Sequence, residues 1–254
     1  MHEVVVESVV DLVARIEEYR EHSVLYRGVG RTTFTLMPSL GRYLAQMEAS
    51  GLGRADLLRD ERGLLDAFKQ QSLPYLTIRP SDDWEWLALA QHYRLPTRCL
   101  DWSRSPLVAL YFALEPAVTY GRRDEDGDVA VYVWIDSEVE VLGASQLAGR
   151  SPWDLERTVV FQPPRTHPRI SSQSAALSVH PKPWEELDDA SVEKLIIPRG
   201  ARYRFLEFLL HTGVNADTLF PDLEGLSRKL TTRLLELTPW TYEQSAGPGS
   251  VGDG

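Results

Sequence analysis

Apolar positions recur at helical spacing through much of the first half of the chain and give way to short apolar runs in the second. Ser8 stands as a hydroxyl N-cap before Val9, Val10, Val13 and Ile16, which share one helical face. The stretch 41–71 predicts helix with an interruption near Gly51–Gly53, and Leu57, Leu58, Leu64, Leu65 and Phe68 form an apolar stripe that also takes in Glu61. Pro74 and Pro80 bracket a loop. Asp82 and Glu85, spaced as in a capping box, then open a helix that places Trp84, Leu87 and Ala88 on the same face as Gln91. Pro96 ends it. Ser105 before Pro106 starts another helix, PLVALYFAL, which is apolar almost all round and therefore buried.

Strand signals are shorter. Ser23–Arg27 (SVLYR) reads as a strand broken by a turn at Gly28 and Gly30, and Phe34–Leu40 as an extended segment kept irregular by Pro38. Val129–Ile135 (VAVYVWI) has the β-branched and aromatic content of a central strand. Thr158–Phe161, Ser174–His180 and Glu193–Ile197 are further strands. Ala201–His211 is a helix stopped by Gly213, and Asn215 or Asp217 caps a last helical region reaching about Leu237. These elements predict a single α+β domain, with a largely helical N-terminal half and a mixed or antiparallel sheet. An N-terminal helix occupies 1–22, the domain proper 23–240, and a glycine-, serine- and proline-rich disordered tail 241–254.

Composition narrows the classes. A chain of 254 residues, 43% hydrophobic and 25% charged, is an ordinary globular one. A net charge of −10 disfavours a partner held mainly by phosphate contacts. No apolar run reaches the roughly 18–20 residues of a membrane span. The acidic N-terminus lacks a signal-peptide cleavage pattern, and the single cysteine, Cys99, suits a reducing cytoplasm. Gly28-Val29-Gly30 is not a dinucleotide fingerprint, and there is no phosphate-binding GxxxxGK[ST] loop, GxSxG elbow or histidine pair spaced for a metal.

Candidate chemistry gathers in three places. Tyr26-Arg27-Gly28 puts an arginine fork at the end of a strand, suited to phosphate or ribose, though a surface arginine leaving a strand gives the same pattern. Gln91, His92, Thr97, Arg98, Asp101 and Ser103 lie between two buried helices, in a stretch read as a loop. Such a density of polar groups serves either a ligand site, with Trp102 stacking on a ring, or a structural network in which Arg98 pairs with Asp101 and Trp102 joins the core. The third place is Arg169-Ile170-Ser171-Ser172-Gln173, where Gln173 precedes a strand.

Taken together, these stretches resemble the FRG domain family from about Val24 to Leu230. The resemblance rests on Tyr26-Arg27-Gly28, on Pro38-Ser39-Leu40-Gly41-Arg42, and above all on the run Gln91–Ala113, with Cys99 where an aliphatic residue is usual. It extends through Arg169, Ile170 and Gln173 to Lys194–Pro198 and Leu219–Leu226. The order of motifs is also similar to that of ADP-ribosyltransferases. That similarity implies NAD as substrate, with cleavage of its nicotinamide–ribose bond and transfer of ADP-ribose to a protein or nucleic-acid acceptor, in a toxin or antiphage effector. It implies catalytic roles for Arg27, His92, Asp101 and Gln173. Ligand binding would fall to Tyr26, Arg27, Gly28, His92, Thr97, Arg98, Trp102 and Ser103. Gln173 stands where a glutamate is usual, and an uncharged amide stabilises a cationic transition state less. The alternative is a non-catalytic module that binds a nucleotide or a protein.

Overall fold

A computed structural model describes residues 1–120, 127–136, 141–163 and 175–237. The Arg169–Gln173 cluster, most of the acidic stretch 122–128 and the tail 241–254 lie outside the described residues. The strands are β1 (His2–Val5), β2 (Ser23–Val29), β3 (Cys99–Ser103), β4 (Val129–Asp136), β5 (Val141–Leu142), β6 (Val159–Phe161), β7 (Ala175–Val179) and β8 (Val192–Ile197). The helices are α1 (Val9–Glu18), α2 (Leu44–Ala49), α3 (Arg54–Ser72), α4 (Asp83–His92), α5 (Pro106–Tyr120), α6 (Ala144–Leu147), α7 (Arg202–His211), α8 (Ala216–Leu219) and α9 (Leu223–Leu237). The architecture is the expected single α+β domain, built on a mixed sheet.

The strands form one sheet of order β1-β8-β4-β2-β3-β7-β6-β5, in which β1–β8 and β5–β6 are parallel and the other neighbours antiparallel. The sheet is continuous in two halves. β2 pairs with β4 over its whole length, from Ser23↔Asp136 to Val29↔Ala130. β3 pairs with β7 from Cys99↔Val179 to Ser103↔Ala175. Between the halves, β2 and β3 share one registered pair, Tyr26↔Ser103. Beyond that bridge Arg27, Gly28 and Val29 diverge from the residues of β3 that an antiparallel ladder would set beside them.

Alternation along the strands explains the layers. Tyr26, Val131, Val133, Leu195 and Ile197 face α1, α5 and α7, with Leu12, Leu110, Phe205 and Leu209 in the same core. Cys99, Leu177, Val179 and Phe161 face α4 through Trp84 and Leu87. The opposite face of both halves is shared. Leu25, Leu100, Trp102, Tyr132 and Trp134 pack there beneath Leu36 and Leu187, whose segments are tied by Leu187 N–H donating to Leu36 O at 3.0 Å.

Local signals explain most helix starts. Ser8 Oγ accepts from Asp11 N–H at 3.1 Å and the Asp11 carboxylate accepts from Ser8 N–H at 3.0 Å, a reciprocal cap. Asp82 accepts from Glu85 N–H at 2.9 Å, while the Glu85 carboxylate accepts from Ser81 N–H rather than from the cap residue. Asn215 caps α8 through Asp217 and Thr218.

Four readings need correction. The first 22 residues hold a strand as well as a helix, since β1 docks beside β8. Residues 34–40 form no strand. The polar stretch after Pro96 contains β3 and is not a loop throughout. Gly28 does not break β2, which runs through it to Val29. A Cβ on Gly28 would sit 1.8 Å from Ala109 O and 2.6 Å from Ala113 N, so this glycine lets α5 lie directly on the strand.

Candidate functional site: a cleft where the sheet divides

The divergence of β2 from β3 opens a cleft of about 360 Å3, within the range of small-molecule sites. Tyr26, Arg27 and Gly28 come from β2, and Asp101, Trp102 and Ser103 from β3. Gln91, His92 and Arg94 come from the end of α4 and the turn after it. The far wall is Ala109, Phe112 and Glu115 of α5 together with Phe220 and Arg228.

Arg27 spans the division. Its Nη1 donates to Asp101 O at 2.6 Å and stands 3.9 Å from the Asp101 carboxylate. The side chain thus replaces a backbone donor that an unbroken ladder would supply. Its Nε is buried with no hydrogen-bond partner. Burial pulls the guanidinium pKa below its ordinary value, and Asp101 offsets part of that. An arginine still holds its charge at neutral pH.

Asp101 is exposed to the cleft and is positioned by a short relay. Cys99 N–H donates to Thr97 Oγ1 at 3.1 Å, the Thr97 hydroxyl donates to Gln91 Oε1, and Gln91 Nε2 donates to Asp101 Oδ2 at 2.5 Å. Thr97 therefore acts through Gln91, and its own side chain is buried.

Arg98 also turns inward. It does not pair with Asp101: its Nε and Nη2 donate to Glu61 Oε2 at 2.8 and 2.6 Å, and its backbone N–H donates to Glu61 Oε1 at 3.0 Å. Both side chains are almost fully buried, at 3% and 2% exposure. Trp153 lies over the guanidinium at 4.9 Å. Trp102 packs its ring against Trp134 and donates from Nε1 to Ser178 Oγ at 2.9 Å, so the ring belongs to the core and not to a stacking surface.

Behind this wall sits His180, which the sequence did not single out. Ser178 Oγ, already accepting from Trp102, meets His180 Nε2 at 2.8 Å, and Thr158 Oγ1 lies 3.4 Å from Nδ1. This network assigns the acceptor role to Nε2 of a neutral ring. Burial, aided by the nearby Arg27 charge, lowers the His180 pKa from 6.5 to about 4. Below pH 6.5 the unfolded chain takes up a proton that the folded chain refuses until about pH 4. Stability from this group is therefore full above pH 6.5 and falls as pH drops toward 4, by about 3 kcal/mol in all. His180→Gln is expected to flatten that part of the curve in urea titrations from pH 7 to 4. Parallel curves for both proteins would refute the assignment.

Glu115, Arg228, Phe220 and Arg94 were also missed. Burial pushes the Glu115 carboxyl up, against the pull of Arg228 and Arg94. Arg228 donates to Glu115 and, at 2.6 Å, to Glu224. The signal in sequence was an acid one helical turn beyond Tyr111 in an otherwise apolar helix. Among the described residues, no group of three His, Cys, Asp or Glu is placed to hold a metal ion, and no helix is long and apolar enough to cross a membrane.

The arrangement defines an α+β domain with an arginine-bridged cleft at a divided sheet. Residues 22–120 match the family model described as FRG domain. The match runs from the start of β2 to the end of α5 and includes Arg27, His92 and Asp101. The resemblance noted around Gln173 and beyond lies outside it. Comparison with curated proteins and with solved structures found no match.

Proposed function

We propose that the cleft binds NAD and cleaves its nicotinamide–ribose bond, passing ADP-ribose to water or to a protein or nucleic-acid acceptor. The observation that carries this reading is the convergence of Arg27, His92 and Asp101 on one cleft at the division of the sheet. Arg27 lines the cleft and spends only Nη1 on Asp101 O, so its guanidinium is suited to grip a phosphate or ribose oxygen. In the reaction the C1′–N bond breaks and its electron pair leaves with nicotinamide, which becomes neutral. The oxocarbenium-like ribose then needs a negative charge nearby, and the Asp101 carboxylate, oriented by Gln91, provides one. An acceptor oxygen attacks C1′ and gives up its proton to His92. A cytoplasmic toxin or antiphage effector is the setting that accords with this chemistry.

Incubation with NAD is expected to release nicotinamide. Asp101→Asn and Arg27→Lys should each lower kcat/KM by about 10²–10³-fold, with far-UV circular dichroism nearly unchanged. Calorimetric binding of NAD without any release points instead to a non-catalytic nucleotide module. With neither heat nor release, the NAD reading fails.

A further inference from the structure

Among the described residues, Arg94 alone outside glycine has a positive φ, at 64°. It lines the cleft and is exposed to solvent. Its backbone N–H donates to Gln91 O at 2.9 Å, completing the turn after α4. Among the described residues its guanidinium has no hydrogen-bond or ion-pair partner. Glu115 is the acid whose titration it affects, and that carboxylate is already engaged by Arg228. A left-handed backbone at a residue with a Cβ carries strain, and the turn is closed by the backbone N–H without the side chain. The other cleft arginines already hold protein groups, Arg27 with one donor on Asp101 O and Arg228 with both Glu115 and Glu224.

We propose that Arg94 is a specificity-determining residue that binds a phosphate of the ligand at the mouth of the cleft, so that the site selects phosphorylated over unphosphorylated nucleosides. This inference deepens the NAD reading and rests on it for the identity of the nucleotide. The anion contact itself can be tested without NAD. A fork of donors on an uncommitted guanidinium suits a phosphate on a tethered ligand. Glu115 repels the same anion, and its pairing with Arg228 limits that repulsion.

The test uses the full chain with Arg94→Gly and Arg94→Ala, titrated by calorimetry with ADP-ribose, adenosine and inorganic pyrophosphate. Both variants are expected to bind ADP-ribose and pyrophosphate about 10-fold more weakly, with a shallower salt dependence, and to leave adenosine unaffected. Arg94→Gly alone should raise the melting temperature, by about 1–3 °C, because it relieves the backbone. Opposite signs for stability and affinity in one variant separate a ligand contact from a structural role. If wild type binds NAD and both variants bind ADP-ribose as tightly as wild type, the Arg94 inference falls and the NAD reading stands. If wild type binds pyrophosphate in an Arg94-dependent way but not NAD, the reverse holds. If it binds neither NAD nor any of the three probes, both fall.

Discussion

Glu61→Ala lowers the melting temperature by roughly 10–15 °C. The carboxylate is the sole acid paired with Arg98 among the described residues, and the pair is nearly dry at 2% and 3% exposure. Removing it leaves a guanidinium with one long contact, Nη1 to Pro152 O at 3.5 Å, and the face of Trp153. Breaking a buried pair from one side costs about 3–5 kcal/mol, since the remaining charge has lost its partner in a place water does not reach. For a chain of this size each kcal/mol is about 2–4 °C. The damage also reaches the cleft, because Glu61 Oε1 accepts from the backbone of Arg98, directly after Thr97 in the relay to Asp101. Glu61→Leu combined with Arg98→Met should recover most of the loss, as no unpaired charge remains. The measurement is thermal unfolding of the three proteins. A drop under about 2 °C for the single variant would contradict the burial of the pair.

Gly28→Ala is the second large effect, and it acts through shape. The added methyl would stand 1.8 Å from Ala109 O and 2.6 Å from Ala113 N, both backbone atoms of α5. No rotamer change relieves that contact, so helix and strand must part. Overpacking of this kind costs about 3 kcal/mol or more, equivalent to roughly 6–12 °C. Since α5 also supplies Phe112 and Glu115, the cleft should widen along with the loss of stability. Thermal unfolding gives the first number, and a fall in affinity for the cleft ligand at a temperature where the variant is folded gives the second. A variant as stable as wild type would mean that α5 does not lie on the strand.

How much of this was legible in the sequence depended on whether the signal was local. Ser8 with Asp11, and Ser105 before Pro106, are caps spelled out within a few residues, and α1 and α5 begin where they indicate. β4 and β8 read as strands because both of their faces are covered. β3 was obscured because one of its faces belongs to the cleft. Leu100 and Trp102 point to the core, while Asp101 and Ser103, alternating with them, line the cleft, and that polar content resembled a loop. β1 is four residues long and pairs with a strand that begins only at Val192, so no local pattern announced it. Its neighbour Glu193 is a buried carboxylate that accepts from Arg15 Nε at 3.1 Å, from Tyr19 and from His2.

The site followed the same rule. Arg27, His92, Asp101 and Ser103 meet at one cleft although they come from three elements, β2, α4 and β3. Thr97, Arg98 and Trp102 belong to the same run of sequence, yet their side chains turn to Gln91, Glu61 and Ser178. The partner of Arg98 was already visible as a lone acid in the apolar stripe of α3, a position where a charge calls for an opposite one. Arg228 and Phe220 reach the cleft by tertiary packing from more than a hundred residues beyond Asp101, so nothing near the central motif pointed to them.

The single bridge at Tyr26↔Ser103 also has a mechanical meaning. From it to Cys99, β3 extends about 13 Å at the usual rise per residue. Over that length β3 is held by its ladder to β7, and its tie to β2 is this one pair and the Arg27 contact. Arg27, fastened across the gap to Asp101 O, is the second stitch between the two halves of the sheet.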